Sequence, residues 1–256
     1  MDVLARFRDL VQGPESALPL DEACLLIATF AHPGIDMGAQ LTRLDDLAEG
    51  VGTPTLDTLR RHLFGELGFV GDLQDYDDPR NSYLDDVLDR RVGIPITLSV
   101  VLMEVGRRVG VPLDGVSMPG HFLVQDKVDR EVFVDPFARG VELDRRGAEA
   151  RFHSVHGPGA VFDPGFLVPV GRRSIVARVL ANLERAAVLR SERDLLAWVL
   201  RLRAVLPGAD ADGTERRKLA RVLAGAGRYD EAATVLEALG SDDDSLAALR
   251  LRARLN

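Results

Sequence analysis

His121 and Asp135 are the side chains whose types and placement could carry acid–base chemistry. A histidine exchanges a proton near neutral pH, and a carboxylate beside it fixes its tautomer and orientation. Both fall in stretches of strand character, Pro119-Gly120-His121-Phe122-Leu123-Val124 and Val134-Asp135-Pro136-Phe137, so a hairpin can bring them together. Such a pair acts on an acyl group only through a nucleophile. The single cysteine, Cys24, lies on an apolar stripe with Leu20, Ile27 and Ala28, whose helical spacing predicts a buried, inert thiol. Thr97 and Ser99 offer hydroxyls, although both are ordinary inside a helix. His153 and His156 could be imagined around a metal with His121 and Asp135. Spacing alone is poor evidence for that, so neither a metal nor a cofactor is expected. No glycine-rich phosphate loop is present.

Three elements must position these groups. The first is a helix from Pro95 to about Val109. Ile94, Leu98, Val101, Leu102, Val105 and Val109 share a face, Pro95 suits the first turn, Arg107 and Arg108 suit the last, and Gly110 suits a left-handed cap. The second is a strand from Val116 to Gln125, and the third a strand from Glu131 to Phe137. A five-residue turn centred on Val128 would set His121 opposite Asp135, Leu123 opposite Phe133 and Gln125 opposite Glu131. Before them, residues 1 to about 70 read as helices, and Tyr76 to Asn81 as a polar loop. Ser82 and Asp85 form a variant capping box for a helix from Tyr83 to Arg90, which Gly93 closes off. From about Arg173 the pattern is helical to the end. Leu219, Leu223, Gly227, Tyr229, Ala232, Ala233, Leu236 and Leu239 follow a helix–turn–helix spacing, with a degenerate helical pair expected over 176–206.

The 256 residues, 46% hydrophobic and 28% charged, suffice for one or two globular domains. One cysteine excludes an internal disulfide and fits a reducing compartment. A formal charge of −8, from 32 basic and 40 acidic residues, argues against a nucleic-acid partner. There is no signal peptide pattern and no apolar run long enough for a membrane span, so the cytoplasm is expected.

Asn81-Ser82-Tyr83-Leu84, Gly93-Ile94-Pro95-Ile96-Thr97-Leu98-Ser99, Pro119-Gly120-His121 and Val134-Asp135-Pro136-Phe137 together resemble the transglutaminase-like domain of the SirB-type family, also found within certain eukaryotic F-box proteins. The helical tail matches that family's layout and resembles a tetratricopeptide repeat. The resemblance implies an α+β fold: a papain-like transglutaminase-like domain with a helical N-terminal region over 1–170, and an all-α tetratricopeptide-like region over 171–256. Active members of the superfamily use a cysteine at a helix start, then a histidine and an aspartate on following strands. His121 and Asp135 match the last two. Counting back from Gly110-Val111-Pro112, the cysteine slot falls at or next to Pro95, which supplies no thiol. The resemblance therefore implies a non-catalytic module that binds a peptide or protein through a cleft lined by Asn81, Ser82, Pro95, Thr97 and Ser99. Two alternatives stay open. One is a hydrolase or acyl transferase using His121 and Asp135 with water or Ser99. The other is a structural adaptor whose cleft is filled by side chains.

Overall fold

The structure, a computed structural model, describes residues 2–254, and the chain divides into two units. Glu15–Val179 forms one, and residues up to 14 join those from 180 onward in the other. This differs from a division at 170, and it detaches the first helix, α1 (Val3–Gln12), from the domain that follows it in sequence.

The larger unit begins with α2 (Leu20–Ala28), α3 (Met37–Glu49) and α4 (Leu56–Arg60), which runs into a π-helical turn over Arg61–Glu66. A two-residue strand β1 (Val70–Gly71) pairs in parallel with β2 (Val92–Gly93), and α5 (Leu84–Arg90) lies between them in the chain. The N-cap of α5 is Tyr83, whose side chain makes no capping bond, so the expected Ser82–Asp85 capping box does not form. The helix ends on a left-handed Arg91, ahead of Gly93.

Then comes α6 (Pro95–Val109), with Pro95 in its first turn and Gly110 as a left-handed cap at φ 80°. Every residue from Pro95 to Gly106 is buried. The one-sided stripe seen in sequence thus belongs to a helix enclosed on all faces. Even Glu104 is fully enclosed, and it is held by Arg107 Nε at 2.7 Å, Arg108 at 3.2 Å and Arg172 at 3.1 Å. A buried carboxylate is tolerated only with such partners.

The sheet is an antiparallel meander of β3 (Leu113–Val116), β4 (Leu123–Asp126), β5 (Phe133–Asp135) and β6 (Val141–Leu143). The expected strand over 116–125 is cut in two. Met118-Pro119-Gly120-His121 forms a β-turn, in which the His121 N–H donates to the Met118 carbonyl at 3.1 Å. Gly120 takes φ 70°, the left-handed conformation a type II turn demands after proline.

The next hairpin also departs from its expected register. Val124 pairs with Val134 and Gln125 with Phe133, two residues away from the pairing centred on Val128. The reason lies in the turn. Asp126 and Asp129 each accept a backbone N–H two residues on, from Val128 at 2.9 Å and Glu131 at 3.0 Å, so the loop extends to Val132. A slip of two residues keeps each side chain on its face, whereas a slip of one would have reversed it. The unit closes with α7 (Arg145–His156) and the start of α8 (Arg172–Leu189).

The second unit contains the rest of α8, α9 (Arg193–Ala204), α10 (Thr214–Gly225), α11 (Tyr229–Glu237) and α12 (Asp242–Arg252). Successive helices pack on one another around Ala197, Leu200, Leu219, Leu223, Ala232, Ala233, Leu236 and Ala248. In α1, Phe7 and Val11 are buried, and the helix packs against α9. Among the described residues no helix is long and apolar enough to cross a membrane.

Candidate functional site

The β-turn at Pro119-Gly120 returns the chain to the sheet with His121 just ahead of β4. Asp135 ends β5. In the observed register Asp135 is a diagonal rather than a direct neighbour of His121, and such neighbours remain within reach of a long side chain. The two meet: His121 Nε2 lies 3.0 Å from Asp135 Oδ1. The carboxylate is fully buried, and Arg151 Nε from α7 approaches its other oxygen at 2.8 Å. Neither nitrogen points its N–H along the line to the oxygen, so charge holds these contacts more than directed hydrogen bonding does. Directed bonds come from the backbone, since Oδ1 accepts N–H groups of Phe137 at 3.1 Å and Ala138 at 3.2 Å. Burial alone would raise the pKa of Asp135. The contact with His121, the charges of His121 and Arg151, and the bond from Ala138 outweigh it and hold the carboxyl below its ordinary range. Phe137 sets its ring edge-on to the imidazole, 6.0 Å between centroids. Asp135 thus faces one imidazole nitrogen, a pairing in which a histidine could serve a nucleophile.

The start of α6 carries no thiol. Pro95 occupies the first position. The Thr97 hydroxyl donates to the Asn81 carbonyl at 2.7 Å and accepts the Ile94 N–H at 3.2 Å, which closes the first turn. The Ser99 hydroxyl donates back to the Pro95 carbonyl at 2.7 Å and is fully buried. Asn81 is fully buried as well. Its amide donates to Asp72 Oδ2 at 3.1 Å and to the Asp75 carbonyl at 2.8 Å, and its oxygen accepts from Arg90 at 3.0 Å. Ser82 is buried behind the same loop. The polar atoms of Asn81, Thr97 and Ser99 therefore hold the Asp72–Asn81 loop and the helix start in place.

Cys24 lies inside α2 and is buried. Burial, with the negative charges of Asp21 and Glu104 nearby, drives its thiol pKa well above the ordinary range, the reverse of what a reactive cysteine needs. His153 and His156 do not join His121. His156 Nε2 contacts the Pro119 carbonyl at 2.9 Å, and His153 lies against Glu149 at 3.7 Å.

The order of helix, histidine at the entry to one strand and aspartate at the end of the next, closed by a 3.0 Å contact, invites comparison with known proteins. The transglutaminase-like superfamily pattern matches residues 35–181, more than half of the chain and inclusive of α6, His121 and Asp135. The chain belongs to the transglutaminase-like superfamily. A UPF0162 protein of Xylella fastidiosa strain Temecula1 is 38% identical over 194 residues, 71% of this chain and 69% of that protein. The UPF0162 protein of Pseudomonas aeruginosa is 31% identical over 259 residues, covering 96% of this chain and 92% of that one. Mouse F-box only protein 21 is 35% identical over 152 residues, 56% of this chain but 24% of its own length. No solved structure matches.

Within this transglutaminase-like unit, Arg151 escaped sequence reasoning. It sits on a helix that no motif marked. The available signal was indirect: a buried aspartate on an inner strand requires a cation, and the helix after β6 is rich in arginine.

Proposed function

We propose that this is a non-catalytic transglutaminase-like protein that acts by binding a peptide or protein segment, as a regulatory module of the SirB type. The first half is supported by the start of α6, where the cysteine slot read at or next to Pro95 offers no thiol and both nearby hydroxyls are bonded to backbone carbonyls. With no nucleophile to activate, the His121–Asp135 pair works as a buried tie between strands, and Arg151 balances its charge.

The second half rests on the helical unit, which we read as tetratricopeptide-like. A groove of about 510 Å³ runs between α10 and α12, floored by Ala220, Ala224, Leu236 and Leu251 and edged by Arg221, Arg250 and Arg254 and by the Arg217–Asp244 ion pair. An apolar floor with a basic rim suits a short apolar segment flanked by acidic residues. A single buried thiol suits the reducing cytoplasm. The filled-cleft reading is favoured for the transglutaminase-like unit itself, because His121 is only 6% exposed and packs on Phe137.

The test pairs two measurements on the full chain. A panel of amide and ester substrates should show no turnover that His121→Ala abolishes. Capture of partners from the native cell should survive His121→Ala and fail with Arg250→Glu/Arg254→Glu. Turnover lost in both His121→Ala and Ser99→Ala would restore a hydrolase or acyl transferase with a non-cysteine nucleophile.

A further inference from the structure

His32 follows α2, and Asp85 and Asp86 open α5. His32 lies far from the adjacent pair Asp85-Asp86 in sequence, but all three converge in the transglutaminase-like unit. One donor atom from each falls within 4.8 Å of the other two, and no other such histidine, cysteine or carboxylate group occurs among the described residues. Three of their polar atoms are buried without a hydrogen-bond partner: His32 Nδ1, Asp85 Oδ1 and Asp86 Oδ2. The Asp85 side chain is 8% exposed, yet its Oδ2 sits 2.5 Å from His32 Nδ1 with no N–H directed between them. His32 Nε2 lies 3.8 Å from Asp86 Oδ2. Two adjacent carboxylates repel each other, and leaving such atoms buried and unpaired is costly. The neighbouring cations are committed elsewhere, Arg80 to Asp78 at 2.6 Å and Arg90 to Asn81 and Asp72 at 3.0 and 3.4 Å.

We propose that His32, Asp85 and Asp86 form a binding site for a divalent transition-metal ion of the zinc class. One imidazole nitrogen and two carboxylate oxygens are the donor set such an ion takes, whereas magnesium and calcium favour oxygen alone. Three protein donors leave a fourth position for water. Bond lengths of about 2.0–2.2 Å place donors no more than about 4.4 Å apart. The present donors lie within 4.8 Å of one another, so ion binding requires His32 to turn; its side chain is 41% exposed and leaves a route from solvent. The ion would offset two adjacent negative charges, one buried and one partly buried, which accounts for the unpaired oxygens. His32 precedes the span 35–181 that matches the superfamily, whereas Asp85 and Asp86 lie within it.

The test uses the full chain, stripped with a chelator and dialysed. Co²⁺ is titrated in and followed by its visible ligand-field absorption, Zn²⁺ is titrated calorimetrically, and circular dichroism checks each variant's fold. The expected result is one saturable ion per chain, Zn²⁺ displacing Co²⁺ and excess Mg²⁺ failing to do so. His32→Ala and Asp86→Asn should each weaken binding by about tenfold or more, since loss of even a supporting outer ligand costs about 10–100-fold. His153→Ala should leave binding unchanged. His32 is partly exposed, so its variant keeps the test open if an aspartate variant misfolds. Absence of saturable one-to-one binding in the parent chain overturns the proposal, as does binding that His32→Ala leaves within threefold of the parent.

Discussion

Replacing Asp135 with asparagine separates charge from shape at the centre of the His121 site. The amide oxygen can still accept the Phe137 and Ala138 N–H groups. What is lost is the negative charge facing His121 Nε2 at 3.0 Å and Arg151 Nε at 2.8 Å. Leaving a buried polar group without its partner costs about 1–3 kcal/mol, more when the group is charged. Arg151 is 32% exposed and can turn to water, so its share is discounted, while His121 is 94% enclosed and cannot. The working figure is about 2 kcal/mol lost at neutral pH. The sign of the pH dependence follows from the depressed pKa of Asp135. A carboxyl that ionises more readily when folded contributes stability above its unfolded value of about 3.9, and that contribution disappears as pH falls through the lower folded value. The gap between parent and Asp135→Asn should therefore be full at pH 7 and pH 5 and should narrow below about pH 4. Urea titrations by circular dichroism over this range read the gap. Trp198, in the helical unit, provides a fluorescence control that should barely move. A gap below about 0.5 kcal/mol at pH 7 would refute the buried ion cluster, because surface substitutions already reach that size. A gap that stays constant down to pH 3 would refute the assignment of the charge to Asp135.

Two further outcomes test the surrounding fold. Leu102, fully buried in α6, should cost about 2–5 kcal/mol when cut to alanine, and a loss below about 1 kcal/mol in urea would remove α6 from the core. Cys24 should label slowly with a thiol reagent at neutral pH and rapidly once denaturant is added. Fast labelling of folded protein that Cys24→Ser abolishes and His121→Ala slows would show an activated thiolate instead.

Local signals told most where chain chemistry alone decides the outcome. Pro95 and Gly110 bracketed α6 because both act through their own backbone. The proximity of His121 and Asp135 was legible because an even slip in register preserves the face. The register itself was not, because the Asp126 and Asp129 side chains draw the loop outward, a contribution that strand patterning does not contain. Pro119-Gly120 carried a turn signature, but the apolar residues on either side masked it as one continuous strand. Asn81, Thr97 and Ser99 looked like lining residues because polar groups near a helix start are common in sites. Their commitment to backbone carbonyls depends on a loop path that only the fold reveals. Asp85 read as a capping residue, and only the fold brings it to His32.

The grouping of α1 with the last helices has a bearing on synthesis. The first helix leaves the ribosome long before α9, the helix it packs against, has been translated. The middle unit, Glu15–Val179, is contiguous and can fold on emergence, whereas its neighbour must close a loop that contains that entire unit. Loop-closure entropy grows only slowly with length, so the penalty in stability is modest, but the delay is real. During it, Phe7 and Val11 remain without their cover. A fragment made without the first fourteen residues would carry its defect at the far end of the chain, where α9 would lack a packing partner.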